Sequence, residues 1–407
     1  MYIKRERYLE KIRPFYKLDL IKVLTGVRRC GKSVLLSQIE EEIVKSGVAS
    51  DHIVRVNFED IQFEHIRKAE KLNEFVVAHI ADSEKYYIFL DEIQHVRQFE
   101  KVLASLRATQ NCSIFVTGSN SKLLSGKMAT LLVGRCIEFR IMPFSFSEAC
   151  DYLAQTGKSV TPDAFIVDYI QWGGMPQRFA FEGEREIKTY LEQTYRGIID
   201  KDIVTDPKRT NRENLLKIAG YVMANAGKEF SARNICEYFK VQNNERIDRS
   251  AIYRYLDRME KACLITRVKR FNIVGKQAMS YVEKQYAVDT GFRMINTNLV
   301  NFEDTFFLEN VVYNELVSRG YEVFVGKTYK GEIDFVVIDG RRKCFVQVAY
   351  YLNARETIAR EFGAFAPITD ASPKYVLSLD RFDFSRDGIS HINIVDFLLG
   401  KKNITLT

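Results

Sequence analysis

Along the first third of the chain, short continuous apolar runs alternate with stretches that are apolar on one side only. Ile21 to Leu24 is mostly apolar and reads as a buried strand. After a glycine-rich interval, VLLSQIEEEIVKSG has apolar residues at helical spacing and closes on Gly47, a C′ glycine. Before that strand, residues 1–20 read as an amphipathic helix with Tyr8, Leu9 and Ile12 on its apolar side. His52 to Asp60 predicts a second strand, and a helical segment follows through Asn73–Asp82. Tyr86 to Leu90 predicts a third strand, which runs into Asp91-Glu92, and Cys112 to Gly118 a fourth.

Beyond Ser147 the period becomes helical to about Leu215. Thr161-Pro162-Asp163 marks a helix start with proline at N1, and Gly173-Gly174-Met175-Pro176 breaks the series. From 216 to 292 the pattern is helix (N-capped by Ser231), polar turn, second helix from near Arg249, then two alternating strands around Val274–Gln277. That succession predicts a winged helix. The last hundred residues read as a helix from Phe306 to Arg319 stopped by Gly320, then three strand-like runs. A helix over 354–365 and a fourth strand, KYVLSLD, complete the segment.

Composition narrows the class. Of 407 residues, 46% are hydrophobic and 28% charged, as in an ordinary globular protein with two to four domains. Seven prolines and no low-complexity stretch argue against long disordered linkers. No run of about eighteen apolar residues occurs, so no membrane partner is expected. The charged start, MYIKRERYLEKIRPFY, reads as no secretory signal. The seven cysteines include no C-x-x-C pair and the five histidines are scattered, so neither a disulfide frame nor a transition-metal site is predicted. These features together predict a cytoplasmic protein. The net charge of +7 suits contact with nucleic acid without requiring it.

The glycine-rich interval carries the strongest chemical signal. Gly26-Val27-Arg28-Arg29-Cys30-Gly31-Lys32-Ser33 satisfies G-x-x-x-x-G-K-[ST] between a strand and a helix, with Val34 continuing the helix. Backbone N–H groups of such a loop and the helix N-terminus wrap a phosphate, Lys32 reaches the outer phosphates, and Ser33 ligates Mg²⁺. The expected ligands are therefore ATP and Mg²⁺. Asp91 and Glu92, at the end of an apolar strand, read as a Walker B pair: Asp91 for the metal shell, Glu92 to orient and deprotonate water. Ser119 and Asn120, just past the fourth strand, suit either a γ-phosphate sensor or a helix cap.

The succession GVRRCGKS, VNFED, IFLDEIQ, FVTGSNS, GRCIEFRIMPFSFSE and WGGMP resembles a family of prokaryotic AAA+-type ATPases, close to archaeal ATPases and STAND signalling NTPases. The resemblance implies an α/β fold: a five-stranded parallel P-loop NTPase sheet with the Walker B strand near its centre, under a helical lid. It also implies that Arg135 is an arginine-finger candidate reaching a neighbouring subunit in a homo-oligomer; a surface ion pair with Glu138 is the alternative. Asn57 occupies the place from which this superfamily restrains the catalytic glutamate, and Arg178 is a second-sensor candidate. Arg28 and Arg29 depart from the smaller residues usual in the loop; they either touch phosphate or face solvent.

On the winged-helix-like segment, Arg249, Arg254, Arg258, Arg267, Lys269 and Arg270 concentrate positive charge on the second helix and the hairpin. They form a candidate DNA footprint; a protein partner is the alternative. The C-terminal layout resembles the PD-(D/E)xK restriction-endonuclease-like fold, which implies metal ligands at Glu309, Asp334 and Gln347. The lysine of that pattern is replaced by Ala349. A degenerate nuclease domain is expected, with Lys343 or Lys327 as possible substitutes and purely structural carboxylates as the alternative. The organisation predicted is thus an ATPase core over 1–147, a lid over 148–215, a winged-helix-like domain over 216–292 and a nuclease-like domain over 300–400. The function predicted is ATP hydrolysis moving DNA-binding domains. Its rivals are a slow nucleotide-gated switch of the STAND kind and an active ATP-dependent nuclease.

Overall fold

The computed structural model describes residues 2–118, 132–158, 160–204, 211–243, 246–275, 277–297 and 304–407. Two compact units are formed, one from Met1–Met142 with Lys261–Cys263, the other from Pro143–Glu260 with Leu264–Thr407.

The first unit is built on five parallel strands: β1 (Ile21–Thr25), β2 (Ile53–Asn57), β3 (Tyr86–Asp91), β4 (Cys112–Thr117) and β5 (Cys136–Arg140). Their order across the sheet is β2-β3-β4-β1-β5. Every residue of β1, β3 and β4 is buried, as expected for inner strands covered on both faces, whereas the edge strand β2 alternates and β5 is half-buried. The strand bearing Asp91 lies next to the middle strand, β4, and one in from the edge. One charged side chain interrupts β1. The Lys22 ammonium donates to the Leu18 carbonyl (3.0 Å) and the Ser113 hydroxyl (2.6 Å), and burial lowers its pKa to about 7.

The long N-terminal helix expected over 1–20 is only Glu6–Ile12, because Pro14 cannot donate and the chain tightens into a 3₁₀ turn over Arg13–Phe15. The P-loop helix runs Lys32–Lys45 and ends as predicted before Gly47, whose φ is 98°.

In the second unit the helices read as a lid, Phe146–Gln155, Pro162–Trp172 and Glu184–Ile198, are joined by Arg212–Ala224, and all fall in the same compact unit as the C-terminal strands. Phe146–Gln155 opens with a complete capping box between Ser145 and Glu148. The helices Ala232–Asn243 and Arg249–Lys261 form as the pattern predicts, and Asn234 N–H donates to the Ser231 cap at 3.2 Å.

The hairpin expected as the wing is part of a larger sheet. Its strands β6 (Ile265–Asn272) and β7 (Gln277–Ala287) continue a seven-stranded mixed sheet with β8 (Glu322–Lys327), β9 (Glu332–Asp339), β10 (Arg342–Val348), β11 (Lys374–Ser378) and β12 (Ile389–Asn393). The order is β12-β11-β10-β9-β8-β6-β7. β6 pairs in parallel with β8 through Phe271 and Gly326. Phe271 and Ile273 share one core with Ile333, Val336, Phe345 and Val376. The boundary predicted between 292 and 300 therefore runs through a hydrogen-bonded sheet. Alternation identifies a strand but not its partner.

Candidate nucleotide site and other sequence-predicted sites

The C-terminal ends of β1, β3 and β4 lie side by side, and the residues singled out in the sequence sit there. Gly26 leaves β1 with φ 149°, and a Cβ on it would stand 2.2 Å from the Ile141 carbonyl oxygen, so only glycine fits. The Cys30 thiol is buried and donates to that same oxygen at 3.4 Å. Arg29 and Gly31 both adopt positive φ (67° and 100°), turning the loop into the helix. Lys32 is buried, its ammonium donating to Gly26 O (3.0 Å) and Val27 O (3.1 Å). Ser33 is exposed at the helix start, and Val34 is half-buried behind it. Arg29 is exposed, while Arg28 is half-buried and lies 3.8 Å from Glu59.

A residue without any sequence signature closes the loop from behind. Arg5 is 1% exposed, and its guanidinium donates to Cys30 O (3.1 Å) and Met142 O (3.0 Å). Gln38 on the P-loop helix fixes Arg5 in turn, accepting its N–H at 3.0 Å and donating to Ile3 O at 2.6 Å.

At the end of β3, Asp91 and Glu92 are both buried. The hydroxyl of Thr117, at the end of β4, donates to Asp91 Oδ1 and accepts the Glu92 N–H at 2.9 Å. One threonine thus sets the position of both carboxylate residues. Glu92 itself has φ 54°, a conformation unusual for a side chain other than glycine, asparagine or aspartate. The Gln94 amide donates to its carboxylate. Asn57, expected to restrain Glu92, instead accepts the Glu59 N–H at 3.0 Å and shapes its own strand end. Gln94, two residues on from the glutamate, makes the contact. Its place in the run Asp91-Glu92-Ile93-Gln94 was visible, but not the left-handed turn that brings it back.

A metal–nucleotide group fits this cradle. The buried lysine and exposed serine follow β1 and the buried carboxylates close β3, all at the C-terminal ends of neighbouring inner strands, and this donor set suits an anionic phosphate with its cation. The hydroxyl of Ser33 and the carboxylate of Asp91 are the oxygen donors suited to Mg²⁺.

Other predicted positions fall differently. Ser119 and Asn120 lie outside the described residues. Arg135 is exposed, and Glu138 accepts the Thr25 hydroxyl at 2.5 Å, not Arg135. Arg178 is buried, donating to Gly173 O (2.6 Å) and Asp168 (2.9 Å) over the Phe179 ring, as a brace of its own helix junction. On the helix Arg249–Lys261, Arg249 and Arg254 are exposed and Arg258 is half-buried. Lys269 on β6 is exposed and Arg270 half-buried, while Arg267 is committed to Glu260 and Asp257.

Glu309 of the helix Asp304–Arg319, Asp334 of β9 and Gln347 of β10 line one cleft of about 540 Å³. Gln347, expected as a metal ligand, spends both ends of its amide: Oε1 accepts the Asp334 N–H (2.7 Å) and Nε2 donates to Glu361 (2.9 Å). Neither Lys343 nor Lys327 reaches the cleft lining; Lys343 pairs with Asp370 at 2.5 Å. Two other lysines, Lys330 and Lys284 of β7, line the cleft, and Lys284 is paired with Glu309 (2.8 Å) and Glu332 (2.6 Å). Burial opposes its charge, yet the surrounding carboxylates hold it protonated well above the ordinary lysine range. Burial, reinforced by Glu309, pushes Asp334 well up, and burial raises Glu309 against the pull of Lys284.

Residues 19–150 match the model of an AAA domain, and residues 164–303 match a domain of unknown function (DUF8612). An uncharacterized protein of Haemophilus influenzae is 33% identical over 405 residues, covering 98% of each chain. The uncharacterized protein MJ1544 of Methanocaldococcus jannaschii is 29% identical over 393 residues, 92% of this chain and 85% of its own. Among solved structures, the replication initiator DnaA bound to AMPPCP and single-stranded DNA aligns over 64% of this chain and 90% of its own. Its identity is 16% and its TM-score 0.33. With its parallel sheet, its P-loop and a full-length relative at this identity, the chain belongs to the family of the Haemophilus influenzae protein and carries an AAA domain of the P-loop ATPase class.

Proposed function

We propose that the first unit binds ATP with Mg²⁺ and hydrolyses it, with Lys32 and Ser33 on the phosphates and metal, Asp91 in the metal shell and Glu92 as general base. The observation that carries this reading is the shared Thr117 hydroxyl, which places the Asp91 carboxylate and the Glu92 backbone at the edge where the P-loop opens. When bound, Mg²⁺ neutralises charge developing on the transferring phosphate. The chain's own residues do the rest: Lys32 donates to phosphate oxygens, Glu92 takes a proton from water, and the loop backbone orients the ligand. Arg135 acts as the finger toward a neighbouring subunit in this reading, supported by its exposure beside β5. DNA contact is assigned to the exposed Arg249, Arg254 and Lys269, with the half-buried Arg258 and Arg270.

The test is steady-state ATP hydrolysis by wild type and Glu92→Gln, with and without duplex and single-stranded DNA. The expected result is that Glu92→Gln binds ATP with wild-type affinity while turnover falls ~10²–10⁴-fold, the usual worth of a general base. Wild-type turnover in the variant moves the base elsewhere.

One observation favours a slow nucleotide-gated switch over a motor. The Glu92 carboxylate is held by Gln94, so a general base at this position must be released before it can act. On this reading basal hydrolysis is slow and indifferent to DNA, and Gln94→Ala raises it. An unchanged rate in Gln94→Ala sinks the restraint.

A further inference from the structure

We propose that the ammonium of Lys284 takes the place of a divalent cation in the C-terminal cleft, so that the carboxylates there form a metal-free, charge-paired site. Two carboxylates that a nuclease-like pattern would assign to metal chemistry, Glu309 and Asp334, line this cleft together with Glu332 and Glu361. Lys284 Nζ stands 2.8 Å from Glu309 Oε1 and 2.6 Å from Glu332 Oε1, and the Lys284 and Glu309 side chains are each 4% exposed. The same Glu309 oxygen accepts the Tyr286 hydroxyl at 2.5 Å, so both of its lone pairs are used.

The neighbouring groups are committed in the same manner. Asp334 Oδ2 accepts the Val348 N–H at 2.8 Å. Gln347 joins the Asp334 backbone to Glu361, and Glu361 also carries Arg360 at 2.8 Å. Among the described residues no three His, Cys, Asp or Glu side chains are arranged to hold one ion. Mg²⁺ demands several oxygens with free lone pairs, at ~2.1 Å in near-octahedral array. An ammonium already seated between two of the carboxylates occupies one oxygen of each and repels a second cation.

The substitution also accounts for the departure of the sequence from the nuclease pattern. Ala349, just past β10, stands where a lysine is expected, and the lysine that reaches the carboxylates comes from β7. It sits on the carboxylates rather than beside a metal-bound water. With an ammonium in place of an ion between Glu309 and Glu332, the cleft lacks the metal that would generate hydroxide there. The fold keeps its shape and loses that chemistry, so the chain does not cut nucleic acid at this cleft.

Binding of Mn²⁺ alone to the nucleotide-free full-length protein, read as loss of the free-ion EPR signal, tests the proposal. Wild type is expected to bind no Mn²⁺ that Asp334→Asn or Glu309→Gln removes. Lys284→Ala is expected to gain one site per chain, at least tenfold tighter than anything in wild type, and to lose it again when combined with Glu309→Gln. Lys284→Arg, which keeps the charge, should match wild type. Wild-type Mn²⁺ binding that falls by one equivalent in Asp334→Asn overturns the proposal. So does a folded Lys284→Ala that gains nothing. Should Lys284→Ala fail to fold, the wild-type and Asp334→Asn stoichiometries decide alone: equal values support the substitution and unequal values reject it.

Discussion

Thr117 makes two hydrogen bonds on which the geometry of the candidate site turns, and neither partner is adjacent to it in sequence. Replacing it by valine keeps the shape and removes the hydroxyl. The Glu92 N–H is then buried without an acceptor, and Asp91 loses a donor. We expect Thr117→Val to destabilise the first unit by ~1–3 kcal/mol and to lower ATP turnover, with Thr117→Ser restoring both. Urea unfolding and a hydrolysis assay check this together; a variant as stable as wild type would show that the network contributes nothing. Lys32 plays a different part. Its ammonium is parked on the carbonyls of Gly26 and Val27, so its removal costs the loop a brace as well as a phosphate ligand. Lys32→Ala should weaken ATP binding ~100-fold, roughly 2.7 kcal/mol, in a fluorescent-nucleotide titration. Unaltered affinity would remove the P-loop from the binding site.

At the scale of elements, the glycine break at 173–176 and the short helix Thr290–Met294 are held by one buried carboxylate. Asp289 caps that helix, accepting Gly291 N–H at 2.9 Å, and also accepts Gly174 N–H at 2.7 Å. A Cβ on Gly173 would lie 2.1 Å from its Oδ1, so the close approach requires glycine. Burial raises the Asp289 pKa to about 6 despite these donors. The sign follows from linkage. The folded value lies above the unfolded value of ~3.9, so the neutral acid favours folding. This contribution is complete below about pH 4 and is lost as pH rises through about 6, to the extent of ~3 kcal/mol. Thermal unfolding of wild type and Asp289→Asn between pH 4 and 7.5 measures the difference. The gap in stability between the two should shift in favour of the variant as pH rises, and a gap independent of pH would mean that Asp289 ionises freely in the folded chain.

For the molecule as a whole, the positive charge offered to a nucleic acid is smaller than a count of basic residues suggests. Arg267 is neutralised by Glu260 and Asp257, whereas Arg249 and Arg254 are exposed on one helix with Tyr253. If these two arginines meet phosphates, Arg249→Glu with Arg254→Glu should weaken DNA binding and reduce the slope of log K against log salt by ~1.8. Titrations at several salt concentrations read this directly. An unchanged slope would take this helix out of the interface.

Local chemistry was legible in the sequence because it depends on neighbours along the chain. The P-loop needs its glycines, lysine and serine at fixed spacing after a strand, and the Asp91-Glu92 pair needs only an apolar strand before it. Helix boundaries at Gly47, Pro162 and Ser231 follow from local backbone preferences in the same way. What the tertiary structure decided are the contacts between distant segments. Arg5 reaches the P-loop across 25 residues, Thr117 reaches Asp91 across 26, and Lys284 reaches Glu309 across 25. Hydrophobic alternation placed β6 and β7 as strands but was silent on their partner, because any half-apolar strand can cover any apolar face until the whole sheet is assembled.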